Sequence, residues 1–329
     1  MNISANSLKL LGVLLVAQVG LAVGLNLQAD RHSGSFKSDT PLLGLGARPV
    51  DNLVIEDGDG NRVELSRKGD RWVLPQAQNF PVTKGRVDAL LTRLAALRIG
   101  WPVASTSGAA ERFKVAGDSF RERLTLRHGD AVLARLYVGT SPMYRKANVR
   151  VDGEDDIYSV ELQPVDMPAE TSAWEDKSLL ALNTNDITRV DLPGVTLEKK
   201  GDSLQVDDLG DGEQTAGTET KALINRIANL RYTASAGKVA QNGGDQKKKA
   251  FDFSLTLNSG EQRQYRFTPS EDGKDYLLEI SGQPWRFRVS KYTFNSIKSD
   301  GRSKLVTASP AASGGAATNK KAGAQGQSS

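Results

Sequence analysis

Acidic residues recur at alternate positions in Asp57-Gly58-Asp59-Gly60-Asn61, the type and spacing a calcium loop uses to converge hard oxygens on a hard cation. The register beyond them is wrong. Arg62 stands where such a loop needs its turn glycine, and Lys68 where it needs a bidentate Glu. A tight hairpin turn, for which Asp-Gly is strongly preferred, accounts for these residues. The acids of Asp152-Gly153-Glu154-Asp155-Asp156 and of Asp207 to Glu213 read the same way. Paired carboxylates cleaving a glycoside would make the chain an envelope hydrolase, but the acids gather in expected turns, so this is the remote alternative. The only histidines are His32 and His128, and no Gly-x-Ser-x-Gly elbow is present, which leaves a serine triad without its parts. The absence of cysteine excludes thiolate nucleophiles, disulfides and Cys-ligated zinc or iron–sulfur clusters. Gly273-Lys274 does not complete a phosphate-binding loop, because Thr268 occupies the upstream glycine's place. The reading is a non-enzyme with no catalytic, metal-ligating or cofactor-binding residues.

Binding chemistry has more to work with. Trp72, Trp101, Trp174 and Trp285 would suit sugar stacking if exposed, which sets an envelope glycan- or ligand-binding module as the alternative function; a Trp in a strand or at a junction ordinarily fills a core. Lys247-Lys248-Lys249 is a compact basic run, read as a solvated loop. The most distinctive connection is Gly139-Thr140-Ser141-Pro142-Met143-Tyr144-Arg145-Lys146, which lies between two expected strands. Gly139, Thr140, Ser141, Pro142, Tyr144 and Arg145 are taken as the candidate interaction loop. The 43 Lys and Arg against 39 Asp and Glu give a net charge of +4 over 329 residues, too weak a field to mark a nucleic-acid binder.

These residues need elements to hold them, and a place in the cell. Leu10 to Ala29 carries no charge and is long enough to span a bilayer, with Leu10, Leu14, Leu15, Val19, Leu21, Val23 and Leu25 as its apolar body. Ala22-Val23-Gly24 also offers a small-x-small cleavage pattern, so a removed signal peptide is the alternative to an anchor. With a nine-residue tail left in the cytoplasm, the body is expected outside the inner membrane, in the periplasm or beyond. Residues 30–49 read as a flexible linker and 307–329 as a disordered tail of small and polar residues.

Between them the chain repeats itself with a period of about 130 residues. Asp51-Asn52-Leu53-Val54-Ile55 corresponds to Asp186-Ile187-Thr188-Arg189-Val190, and Gly69 to Leu74 corresponds to Gly201 to Val206. The helical stripe Val87, Leu90, Leu91, Leu94 and Leu97 answers to Leu223, Ile227 and Leu230. Leu124-Thr125-Leu126 answers to Leu255-Thr256-Leu257, and Ile157 to Val160 answers to Trp285 to Val289. Alternating strands such as Phe120 to Leu126 and Tyr265-Arg266-Phe267 predict half-buried antiparallel hairpins. A helix is predicted from about Lys84 to Leu97 with Thr83 as N-cap. The fold class is therefore α+β: two tandem repeats, 50–182 and 183–306, each a set of antiparallel hairpins and a meander packed on one main helix, behind an anchor at 1–29.

The blocks Trp72-Val73-Leu74, Val87 to Leu97, Arg112-Phe113-Lys114-Val115, Leu136 to Pro142, Asp156 to Val160 and Trp174-Glu175-Asp176-Lys177 resemble the bacterial family catalogued as domain of unknown function 4340, over about residues 50 to 295. The resemblance implies a single-anchor envelope protein, often associated with a gliding-motility-type ABC transporter system, and carries no catalytic residues. The leading expectation is a non-enzymatic accessory or scaffold protein whose partners are ABC-type transporter subunits and the membrane.

Overall fold

The computed structural model describes residues 40–45, 49–239, 250–298 and 301–309. The expected anchor residues, the Lys247 to Lys249 run and the tail from residue 310 lie outside the described residues. Among the described residues no helix is long and apolar enough to cross a membrane.

The first half of the body runs β1 (Asn52–Asp57), β2 (Arg62–Lys68), β3 (Arg71–Leu74), β4 (Phe80–Pro81), α1 (Arg86–Ala96), α2 (Ser107–Phe113), β5 (Glu122–His128), β6 (Ala131–Val138), β7 (Lys146–Val151) and β8 (Ile157–Glu161). The second runs α3 (Thr171–Trp174), β9 (Ile187–Leu192), β10 (Val195–Lys200), β11 (Ser203–Val206), β12 (Glu213–Thr215), α4 (Gly217–Ala228), β13 (Ala234–Lys238), β14 (Phe251–Leu257), β15 (Gln262–Pro269), β16 (Asp275–Ile280), β17 (Trp285–Ser290), α5 (Lys291–Lys298), α6 (Arg302–Leu305) and β18 (Val306–Ala308). One eight-stranded sheet has the order β4-β3-β2-β1-β5-β6-β7-β8, a second the order β11-β10-β9-β14-β15-β16-β17-β13, and β12 pairs with β18. The fold is α+β with antiparallel sheets, as the alternation of strands and the segregated helices predict.

By contact density the chain divides into two compact units. One takes the described residues up to Arg62 with Asp88–Ala169; the other takes Val63–Val87 with the described residues from Glu170 onward. In the first unit, Leu53 and Ile55 of β1 are buried, as are Leu124 and Leu126 of β5 opposite them in register. Leu90, Leu94 and Leu97 of the α1 stripe are also buried, as the helical period requires. In the second unit, β17 alternates strictly, with Trp285, Phe287 and Val289 buried. Phe253 and Tyr265 face each other in register, their rings stacked with centroids 4.6 Å apart. Helix α4 buries Leu223, Ile224 and Ile227.

Three local expectations are corrected. Helix α1 begins at Arg86, after Gly85 takes a positive φ of 75°. The Thr83 hydroxyl does not cap it; it donates to the Glu175 carbonyl at 3.0 Å. The chain is ordered before residue 50: Leu42 and Leu43 are buried, and the Leu42 amide donates to the Leu97 carbonyl at 2.9 Å. At the other end Thr307 and Ala308 do not join the tail, because they pair with Gln214 and Glu213 in the β12–β18 ribbon.

The second unit is gathered around one buried acid. Glu175 is 2% exposed and its carboxylate accepts four hydrogen bonds from three donor groups. The Ser235 amide donates at 2.9 and 3.0 Å, the Ser235 hydroxyl at 2.7 Å and the Lys177 ammonium at 2.9 Å. Lys177 also donates to the Thr233 carbonyl at 2.7 Å and lies 4.3 Å from the centre of the Tyr232 ring. The Tyr232 hydroxyl donates to the Asp176 carbonyl at 2.7 Å, and burial pushes that phenol's pKa upward. On the N-terminal side, Arg86 donates to the Ala173 carbonyl and covers the fully buried Trp174 ring at 4.5 Å. The Asp176 amide donates to the Pro81 carbonyl at 3.0 Å. Phe80 completes the cluster, edge-on to Trp285 at 4.9 Å and to Tyr232 at 6.0 Å.

A charge this deep is tolerable only while its donors stay in place. Glu175→Ala is expected to cost about 1–3 kcal/mol, because it leaves the Ser235 amide without its acceptor and removes the Lys177 ion pair. Urea unfolding with intrinsic Trp fluorescence checks this; a loss below about 1 kcal/mol would show the carboxylate to be dispensable.

Candidate interaction site

The candidate loop connects β6 to β7 and divides into a fixed base and an exposed tip. At the base, the Gly139 amide donates to the Asn148 carbonyl at 2.8 Å and the Thr140 amide to the Phe113 carbonyl at 2.8 Å. The Asn148 amide returns to the Thr140 carbonyl at 2.9 Å, and its buried side chain donates to the Thr140 hydroxyl at 3.0 Å. Helix α2 supplies the other wall. Thr106 caps its start by accepting from the Ala109 amide at 3.2 Å, and Lys114 ends it in a left-handed conformation, φ 58°. Beneath lie Ala109, Ala110, Val115, Tyr137 and Ile157, a small apolar cluster of their own.

Gly139 is glycine because there is no room for anything else. A Cβ there would meet the Phe113 carbonyl oxygen, and would lie 2.6 Å from the Lys114 oxygen and 2.8 Å from Val115 Cγ1. Two of these are backbone atoms that have nowhere to go. Gly139→Ala is expected to destabilise the fold by about 2 kcal/mol or more through overpacking; a thermal melt indistinguishable from the parent's would contradict the close approach.

Ser141, Pro142, Met143, Tyr144 and Arg145 project into solvent, Met143 61% and Tyr144 84% exposed. Arg145 has a positive φ of 62°, and its guanidinium lies 5.6 Å from the Tyr144 ring centre. The Lys146 amide closes the turn on the Met143 carbonyl at 3.1 Å. The β7–β8 register pairs Lys146 with Glu161, so the tip and the segment after β8, where Val165 is exposed, lie at one end of this hairpin. Of the six candidate loop residues, Gly139 and Thr140 therefore build the base, while Ser141, Pro142, Tyr144 and Arg145 form the tip.

The tryptophans separate in the same manner. Trp72, Trp174 and Trp285 are core, and Trp101 is 72% exposed. A stacking platform would have to be made by that one ring.

The acids of the calcium-like stretch are committed to the turn itself. Asp57 accepts from the Asp59 and Asn61 amides at 3.0 and 2.9 Å and from the Asn61 side chain at 2.7 Å, bonds that hold its carboxyl below the usual range. Opposite it in register is Glu122, which nothing in the sequence singled out. Its Oε2 is sealed from water without a partner, and its pKa is pushed up to about 7 by burial, against which the Arg121 charge acts only in part. The neighbouring Asp57 charge adds to the rise.

The folded state thus holds the Glu122 proton more tightly than the unfolded chain, where the pKa is near 4.5. Stability from this group is highest below that value, falls as pH rises toward 7 and is level above it. Glu122→Gln is expected to raise stability by about 1 kcal/mol at pH 8, a figure discounted for solvent screening, and to change it little at pH 4. Urea titrations at the two pH values check the sign, and an equal effect at both would contradict it.

Residues 72–254 match the family described as a domain of unknown function, DUF4340. No curated protein and no solved structure matches the chain. The match spans β3 to β14 and takes in the α1 stripe, the β6–β7 loop and the Trp174 to Lys177 segment that carries the buried acid. With more than half of its length matched, the chain belongs to the DUF4340 family.

Proposed function

We propose that this protein is a non-enzymatic, membrane-anchored accessory or scaffold protein of a gliding-motility-type ABC transporter assembly. Its N-terminal segment holds it in the inner membrane, its body lies outside the cytoplasm, and its partners are transporter subunits. The observation that carries the reading is the β6–β7 tip, where Met143 and Tyr144 stand in solvent on a base tied down by Gly139, Thr140 and Asn148. An exposed aromatic and a flexible thioether are the side chains that protein interfaces concentrate. Presentation on a fixed base lowers the ordering cost of binding, and a shared membrane raises the effective concentration of partner surfaces.

The body is, in this reading, two copies of one unit. The strand orders support it: β3-β2-β1-β5-β6-β7-β8 in one sheet and β11-β10-β9-β14-β15-β16-β17 in the other run in the same sequence. The corresponding sequence blocks fall at matching positions, β1 with β9, β3 with β11, β5 with β14 and β8 with β17. Duplication leaves one copy free to diverge, and the β6–β7 loop has no counterpart of like composition.

Tagged full-length protein, drawn from gently solubilised membranes, is expected to bring transporter subunits with it. Met143→Ala with Tyr144→Ala is expected to lower their recovery by about tenfold or more while leaving the melting temperature unchanged. Failure of the parent protein to recover any transporter subunit would overturn the proposal.

A further inference from the structure

In the first unit a cleft of about 240 Å³ opens on the sheet face shared by β1, β5 and β6, and Arg62, Arg123, Arg127 and Arg135 all line it. Glu56 is the one acid among its lining residues. The register fixes how these groups sit. Thr125 stands opposite Val54 of β1 on one side and Arg135 of β6 on the other, with Arg123 and Arg127 two residues away along β5. The β1–β5 register runs through all three β5 residues without a shift, so they share one face. A diagonal pair across antiparallel strands is separated by about 7–8 Å. Arg123 and Arg127 are each within such a spacing of Arg135, close enough for long side chains to converge over Thr125.

Part of this charge is already committed. Arg123 is paired with Glu56 at 2.9 Å, and Arg135 gives one terminal nitrogen to Asp152 at 2.7 Å. The Arg127 side chain makes no hydrogen bond or ion pair among the described residues. Its Nε is sealed, and its two terminal nitrogens are the part that meets water. Thr125 is 4% exposed, and its hydroxyl also bonds to nothing among the described residues. That oxygen is not one of the sealed atoms, so it stays open on the floor of the cleft.

We propose that this cleft binds the phosphate group of an organic phosphate. The terminal nitrogens of Arg127 and the remaining one of Arg135 donate to its oxygens from two strands, and the Thr125 hydroxyl donates from the floor. Arg123, its charge balanced by Glu56, forms a wall, and the exposed Arg62 adds positive charge. Donors that arrive from several sides match a tetrahedral oxyanion better than a planar carboxylate, which a single guanidinium fork satisfies. Sites that enclose a whole small molecule run to about 300–1,000 Å³. This smaller cleft takes the phosphate and leaves the group it esterifies outside. A soluble phosphomonoester and the headgroup of phosphatidic acid present that same chemistry.

The test titrates full-length protein in a non-ionic detergent, at fixed ionic strength, by calorimetry. The probes are glycerol 3-phosphate, dihexanoyl phosphatidic acid with dihexanoyl phosphatidylcholine as its control, and acetate. At least one phosphate is expected to bind saturably, with acetate and the phosphatidylcholine about tenfold or more weaker. Tighter binding of the phosphatidic acid assigns the site to a lipid headgroup; equal or tighter binding of glycerol 3-phosphate assigns it to a soluble ester. Arg127→Lys keeps the charge but loses the planar fork, and is expected to weaken the preferred phosphate about tenfold. Thr125→Val keeps shape and charge, and is expected to weaken it about fivefold or more without lowering the melting temperature, because the hydroxyl it removes has no partner in the chain. No saturable binding of either phosphate up to about 10 mM, acetate that binds as well, or full affinity in either variant, would overturn the proposal.

Discussion

A carboxylate that is almost wholly removed from water must find its donors inside the protein, and Glu175 finds them on two stretches of chain while its backbone is tied to a third. Lys177 comes from its own segment, Ser235 from the start of β13, and the neighbouring backbone is tied to Pro81 and Thr83. None of these contacts can be made separately without leaving a charge or an amide unpaired. Trp174 and Arg86 on one side, and Phe80, Tyr232 and Trp285 on the other, then exclude water from it. The Trp174-Glu175-Asp176-Lys177 segment is thus a point of assembly for residues 80–87, 173–177 and 232–235.

The β6–β7 loop obeys the converse logic. Its base is paid for by packing: a glycine against two carbonyl oxygens, a buried asparagine satisfied by Thr140, and a helix that ends in time to let the loop approach. Its tip buries nothing and leaves Tyr144 in solvent. A fixed base with an exposed tip is what the proposed docking role asks of this loop.

Much of the fold was legible because it rests on period. The stripe of Leu90, Leu94 and Leu97 and the alternation of Trp285, Phe287 and Val289 announce the buried face of a helix and of a strand from local spacing alone. Asp57 was legible as a turn residue for the same reason, since its partners are two and four residues away. What was not legible depends on residues far apart in the chain. The donors of Glu175 include Ser235, sixty residues on, and no spacing rule links them. Thr83 looked like an N-cap because nothing local reveals the Glu175 carbonyl that claims its hydroxyl. Leu42, Leu43 and the short strand at Val306 were hidden in stretches whose polar composition outweighs them. Of the candidate loop, composition picked out the segment, but only the packing around Phe113 and Asn148 separates base from tip.

In the proposed function the β6–β7 tip touches a subunit of the membrane transporter. A photoreactive phenylalanine analogue placed at Tyr144 of the full-length protein and activated in intact membranes would capture that contact, with the same analogue at exposed Tyr292 as a control. One dominant cross-linked partner is expected from position 144, identified by mass spectrometry as a subunit of an ABC-type transporter, and none from position 292. Cross-links that are absent at 144, or equally abundant and unspecific at both positions, would contradict it.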